Sequence, residues 1–394
     1  MIKQKLINFV KTHGWFYDLY YFIGSTLLRI IGKVIKIKEK SILFVSFGGK
    51  KFDDSPKAIY DYICNNQMFD EYELIWAFNE PEKYNLKRGK KIKIDTFKYY
   101  LIALGSKFWI TNSAIERGLN FKNKKTFYIN TWHGTPLKKI GTDAVSTSSQ
   151  TGLGSKNIYT QNLMTAQSEF DANIFSRLFG IDKNNILICD LPRNDYFSNN
   201  NNYNTAEIKE KLGIRGNRKI VLYAPTYREY LRDEENNNYI APPIDINKWK
   251  EKLDEDYIIL FRAHYEIINV LGIENSSFIY NVSNYENLNE LMIVSDMLIS
   301  DYSSIFFDYS ILGKPMYCFA YDLEEYKNKR GLYLDIKKEL PFNVAINEDE
   351  LINQIINLDY NRAIQQVLKF KKKYLPNTGY ACHTVVEEIV KRSI

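Results

Sequence analysis

Cysteine is scarce in this chain: Cys64, Cys189, Cys318 and Cys382 are the only four in 394 residues, widely separated and with no C-x-x-C pair. That spacing excludes a zinc knuckle and a dense disulfide framework, and it points to a reducing cytoplasm. No long apolar run is present. His13, Asp18, Arg29 and Lys33 interrupt every window near the N-terminus, so neither a membrane span nor a signal peptide is expected. Gly152-Leu153-Gly154-Ser155-Lys156 lacks the full P-loop spacing, and there is no G-x-G-x-x-G fingerprint. The standard NTPases and dehydrogenases are thereby set aside. Asp254-Glu255-Asp256 spells D-x-D, yet it ends the lysine-rich stretch KWKEKLDED. No metal site is expected there or elsewhere.

What the chain does have is core. With 45% hydrophobic and 15% aromatic residues, 394 residues suffice for two domains. A net charge of +6 suits phosphate-rich ligands or an anionic lipid surface, and it is too small to indicate a nucleic-acid partner. Short apolar, β-rich runs at 41–47, 73–78, 107–111 and 126–131 alternate with helical or turn-like stretches. A second series follows at 219–224, 257–262, 278–282, 297–300 and 315–320. This is βαβ grammar, and it predicts two parallel sheets covered by helices. The polar tract Ser198 to Thr205 (SNNNNYNT) separates the two series and reads as a linker or long surface loop.

Five motifs sit just after predicted strands, where ligands bind in doubly wound sheets. In Asn130-Thr131-Trp132-His133-Gly134-Thr135-Pro136, His133 is either a structural histidine beside a tryptophan or a general base. Gly134 and Pro136 favour the second reading, because they indicate a tight turn where a ligand approaches. Phe261-Arg262-Ala263-His264 follows another strand, and the Arg262 guanidinium suits phosphate oxygens. Ser300-Asp301-Tyr302-Ser303-Ser304 precedes a predicted helix, as a helix cap or as an anion site. Tyr223-Ala224-Pro225-Thr226-Tyr227-Arg228 and Pro192-Arg193-Asn194-Asp195 are either surface loops or nucleotide contacts. Only four histidines exist. His13 and His383, in terminal segments, receive a structural reading.

Taken in order, NTWHGTPLKKIG, PRND, YAPTYR, FRAHY and SDMLISDYSSIFFDYSILGKP resemble the CDP-glycerol glycerophosphotransferases of wall teichoic acid and capsule synthesis. SFGGKKFDDSPKAIYDYI (Ser46 to Ile63) and FWITNS (Phe108 to Ser113) extend the resemblance over nearly the whole chain from about residue 40. The resemblance implies an α/β fold of the glycosyltransferase B type, with two Rossmann-like domains of parallel sheets facing across a cleft. It implies CDP-glycerol as donor, a hydroxyl of a polyprenyl-diphosphate-linked glycan or teichoic acid as acceptor, and release of CMP. A related transferase using CDP-ribitol or another activated polyol or sugar is the alternative. Carried over by residue, His133 is the catalytic base and His264 contacts the donor. Thr226, Arg228, Arg262, Asp301, Ser303 and Ser304 line its phosphates, while Gly134, Thr135, Arg193 and Asn194 are further cleft candidates. Asp190-Leu191 precede PRND where the family commonly has a glycine, which leaves the local turn open. No tightly bound cofactor is implied, and magnesium, if used, enters with the substrate.

Four segments are expected: a basic, aromatic N-terminal segment at 1–40, an acceptor domain at 41–200, a donor domain at 206–375, and a C-terminal helix at 376–394 that crosses back to the first domain. The first segment combines Trp15, Phe16, Tyr17, Tyr20, Tyr21 and Phe22 with eight lysines and arginines. That composition fits an anionic membrane surface, and so a protein peripheral on the inner face of the cell membrane. No strict apolar stripe is apparent in this segment, and packing on the first domain or in an oligomer is the competing reading.

Overall fold

The computed structural model describes residues 14–144, 160–198, 203–226, 228, 241–263 and 265–393. They fall into two compact units. One is drawn from Met1–His133, Ser146–Tyr196 and Asn377–Ile394, the other from Gly134–Val145 and Phe197–Pro376.

The first unit holds strands β1 (Lys38–Val45), β2 (Glu73–Phe78), β3 (Lys90–Lys93), β4 (Ser106–Thr111), β5 (Phe127–Asn130), β6 (Leu163–Ala166) and β7 (Ile186–Ile188). They form one sheet in the order β3-β2-β1-β4-β5-β6-β7, with every pairing parallel. A parallel sheet is buried on both faces, so its central strands are continuous apolar runs. Along β1, Ile42 and Phe44 join a core with Ile59, Tyr60 and Ile63 from the helix Asp54–Cys64 and Val385, Val386 and Ile389 from the helix Ala381–Lys391. Leu43 and Val45 face the opposite core, with Tyr99, Ala103 and Leu104 from the helix Phe97–Gly105 and Leu28 from the helix Gly14–Val34.

The second unit holds β8 (Lys219–Tyr223), β9 (Tyr257–Phe261), β10 (Ile279–Asn281), β11 (Met297–Ser300), β12 (Met316–Phe319) and β13 (Val344–Ala345). Their order is β10-β9-β8-β11-β12-β13, again all parallel. Trp249 and Leu253 of the helix Ile246–Leu253 and Leu351, Ile352 and Ile355 of the helix Glu348–Ile356 close one face. In each sheet the strand order reverses once, between β1 and β4 and between β8 and β11. At such a point the connections leave in opposite directions and open a crevice beyond the carboxyl ends of the strands.

The chain changes unit more often than the tract at 198–205 led one to expect. The span 41–200 is not continuous, because 134–145 belongs with the second unit. Lys139 N donates to Gly331 O at 3.0 Å, and Tyr333 N donates to Leu137 O at 2.9 Å. The C-terminal helix belongs to the first unit, where the Asp195 carboxylate accepts from the N–H groups of Ala381 (2.9 Å) and Cys382 (2.7 Å).

The helix Gly14–Val34 corrects the reading of the N-terminal segment. One side packs inward: Tyr17 and Leu28 are buried, Tyr17 Oη donates to Gly118 O at 3.2 Å, and Asn120 N donates to Ser25 Oγ at 2.9 Å. A Cβ on Gly24 would lie 3.0 Å from Leu119, so glycine permits this close approach. The other side exposes Leu19, Phe22, Ile23, Leu27, Ile30 and Val34, an apolar stripe at helical spacing. The sequence concealed it because the helix is apolar on both sides. No described helix is long and apolar enough to cross a membrane.

Candidate active site

In the first unit, the loops after β1, β4 and β5 converge on His133. The turn Phe47-Gly48-Gly49 runs through left-handed φ values of 46°, 61° and 83°. It is held by side chains from the β4 end: Phe47 N donates to Asn112 Oδ1 at 2.8 Å, and Gly48 N donates to Ser113 Oγ at 3.0 Å. Trp132 also has a left-handed φ, 53°, and its N–H donates to Asn130 Oδ1 at 2.9 Å. The His133 ring stacks on Trp132 at 4.2 Å between centroids and is exposed.

His133 is held both at its ring and at its backbone. Its Nδ1 lies 2.9 Å from the carbonyl oxygen of Asn112. A carbonyl only accepts, so the neutral ring carries its proton on Nδ1, and Nε2 has the lone pair. The His133 carbonyl accepts from Arg193 Nη1 at 3.1 Å, and the same nitrogen pairs with Asp54 Oδ2 at 2.6 Å. Asp54, at the start of its helix with φ 66°, lies within the segment Ser46 to Ile63 but was not singled out there.

Arg193 therefore supports the His133 turn, whereas Asn194 is fully buried, its Nδ2 donating to Asp190 Oδ1 at 2.9 Å. Asp190 stands at φ 73°, a conformation glycine adopts freely and aspartate tolerates. Its carboxylate also accepts from Leu191 N at 2.7 Å and Gln167 Nε2 at 2.9 Å. The turn thus forms without glycine. Gly134 and Thr135 are buried and belong with the second unit.

In the second unit, the loops after β8, β11 and β12 meet in a buried charge network. Asp301 accepts from Thr226 N at 2.9 and 3.0 Å, from Thr226 Oγ1, from Tyr302 N at 2.7 Å and from Arg228 Nη1 at 2.6 Å. Arg228 forks onto Asp322 through Nε at 2.8 Å and Nη2 at 2.9 Å. Its guanidinium lies 4.9, 5.2 and 5.4 Å from the rings of Tyr302, Tyr321 and Tyr326. Burial alone would weaken its hold on the proton, but Asp301 and Asp322 keep Arg228 protonated beyond its ordinary range. Burial, with Asp322 beside it, pushes the Tyr302 phenol well up.

Arg228 and Asp301 are thus 4% and 2% exposed and satisfy each other, where direct phosphate contact was expected of them. A guanidinium already forked onto carboxylates has little left to offer an anion. Arg262 likewise turns Nη1 to the carbonyls of Val282 and Tyr285. Ser303 and Ser304 are half-buried. Ser303 Oγ accepts from Ile305 N at 3.2 Å, and Ser304 stands at the start of the helix Ile305–Ser310 without making a side-chain cap. His264 lies outside the described residues. A cavity of about 400 Å³ lined by Met316, Asn343, Asn357 and Arg362 opens at the amino ends of β12 and β13, away from these motifs. Among the described residues no group of three His, Cys, Asp or Glu is placed to hold a metal ion. An ion bound through a substrate's phosphates needs no such group.

Two Rossmann-like units, each gathering its polar residues at the switch point of a parallel sheet, define a transferase of the glycosyltransferase B type. The chain belongs to the CDP-glycerol:poly(glycerophosphate) glycerophosphotransferase family, whose sequence pattern matches residues 28–391. It is 32% identical over 373 residues to the teichoic acid glycerol-phosphate transferase of Staphylococcus aureus, covering 90% of this chain and 94% of that one. It is 34% identical over 347 residues to the teichoic acid poly(glycerol phosphate) polymerase of Staphylococcus epidermidis, covering 85% of this chain and 48% of that longer protein. Solved structures of the wall teichoic acid polymerase TagF superpose with a TM-score of 0.83 at 30% identity, over 96% of this chain and 97% of that one. One of them is a histidine-to-asparagine variant soaked with CDPG.

Proposed function

We propose that this protein transfers glycerol phosphate from CDP-glycerol to a hydroxyl of a lipid-linked teichoic acid or glycan acceptor, with His133 as general base. The supporting observation is the hydrogen bond from His133 Nδ1 to the Asn112 carbonyl, which sets the neutral tautomer whose lone pair is on Nε2, the atom a general base uses. The acceptor oxygen attacks the phosphorus that bears glycerol, and its proton passes to Nε2. The bond from that phosphorus to the bridging oxygen breaks, and CMP leaves with the electron pair. Ser303 and Ser304 supply hydroxyl donors to the diphosphate, in a region shaped by Thr226, Asp301 and Arg228. Magnesium, where used, enters with the diphosphate. The exposed stripe Leu19, Phe22, Ile23, Leu27, Ile30 and Val34, with Arg29 and Lys33 on the same helix, supports a peripheral position on an anionic membrane beside such an acceptor.

The test is incubation of a synthetic lipid-linked acceptor with CDP-glycerol or CDP-ribitol. The expected result is CMP release from CDP-glycerol and an acceptor heavier by glycerol phosphate units. CMP released from CDP-ribitol alone would overturn the choice of donor.

A further inference from the structure

Asp322 follows β12 and carries no recognisable motif, yet it takes both Nε and Nη2 of Arg228 and accepts from Tyr302 Oη at 2.9 Å. We propose that Asp322 is a positioning residue for donor recognition: through Arg228 and Tyr302 it ties the loops after β8, β11 and β12 together and so fixes the Ser303 and Ser304 hydroxyls. The inference rests on the donor site proposed above.

The network is closed. The side chains of Arg228, Asp301 and Asp322 are 3%, 2% and 6% exposed. Arg228 Nη1 also donates to the Thr226 carbonyl, and Thr226 is bound back to Asp301 by its N–H and its hydroxyl. Three tyrosine rings lie over the guanidinium and keep water away, so a missing partner is felt strongly. The cation with its two carboxylates carries a net charge of −1. Acting only through its field, this cluster would repel a diphosphate, and removing Asp322's charge would tighten donor binding. Acting as a frame, Asp322 has the opposite sign: neutralising it frees Arg228 and Tyr302, the loops lose register, and binding weakens.

The sign is measurable by calorimetric titration of the full chain with CDP-glycerol, alongside steady-state kinetics. Asp322→Asn is expected to weaken donor affinity at least about tenfold, raising the donor KM while the acceptor KM holds. In the Ser303→Ala/Ser304→Ala background the same change is expected to add little, because Asp322 acts through those hydroxyls. Tyr302→Phe, which removes only the hydroxyl bond to Asp322, is expected to weaken affinity several-fold, and it serves as the readout if Asp322→Asn fails to fold. Unchanged or tighter donor binding in Asp322→Asn, or in Tyr302→Phe where that variant is the readout, would overturn the inference, as would full additivity with the serine changes. If Ser304→Ala itself leaves affinity unchanged, the donor site proposed above is what has failed.

Discussion

The two switch points are built from opposite materials. Beside β1 and β4, His133, the base proposed above, is exposed, and its ring meets two neutral groups, the Asn112 carbonyl and the stacked Trp132. A charged pair, Arg193–Asp54, touches its backbone carbonyl. Beside β8 and β11, an arginine and two aspartates are sealed under tyrosines, and the half-buried Ser303 and Ser304, proposed above as diphosphate donors, follow Tyr302 in the chain. A general base, the role proposed for His133, needs an accessible lone pair, and an exposed ring oriented by a backbone carbonyl suits that need. Three loops proposed to receive a flexible diphosphate must be held in register, and buried charge-assisted hydrogen bonds do that with directional strength.

The contrast breaks most readily in the second unit. Arg228→Ala leaves two buried carboxylates without their cation and is expected to destabilise that unit by about 3–5 kcal/mol, read as a lowered urea midpoint, with donor affinity falling alongside. A midpoint near that of the parent would mean that the network is slack. In the first unit, Arg193→Ala strands Asp54 and frees the His133 carbonyl. A loss of about 1–3 kcal/mol is expected, together with slower turnover at saturating donor and little change in donor KM. A rise in donor KM as large as that of Asp322→Asn would erase the division between the sites. Gly48→Ala is a smaller perturbation. Its φ of 61° strains any side chain, and the new Cβ would lie 3.0 Å from Arg117 Nη1, so a cost of about 1–2 kcal/mol is expected, with slower turnover because Phe47 neighbours the His133 ring. The smallest effect on stability belongs to Leu27→Glu with Ile30→Glu on the exposed stripe. Stability should move within about 0.5 kcal/mol, whereas salt-sensitive sedimentation with anionic vesicles should be lost. Undiminished vesicle binding would move the membrane contact elsewhere.

Much of the sheet architecture is legible in the sequence, because strands buried on both faces are continuous apolar runs: SILFV, ELIWAF, KIVLY and YIILF announce β1, β2, β8 and β9. Strands without such an apolar run were missed. β3 is KKIK with only Ile92 buried, as suits an edge strand. β6 is fully buried, but Leu-Met-Thr-Ala has little β-branched character. β7 and β13 run for three and two residues. The turn carrying His133 was legible because a strand, a histidine, a glycine and a proline follow one another within a few positions. The roles of Asp54, inside the segment Ser46 to Ile63, and Asp322, outside any motif, were not, because each acts on an arginine far along the chain, 139 and 94 residues away, and an aspartate alone does not announce such a partner. Arg228 was found and given the wrong neighbours: sequence shows that a guanidinium stands at a strand end, but not that two carboxylates reach it first.

The division of labour is tested most directly by His133→Ala, with turnover and CDP-glycerol affinity measured on the same preparation. Loss of a general base removes an interaction made in the transition state, so turnover should fall by ~10² to 10⁴. Donor affinity should stay within about twofold, since no donor contact is assigned to His133. Near-normal turnover in a folded variant, or a fall in donor affinity that accounts for the lost rate, would contradict the assignment of His133 as the base.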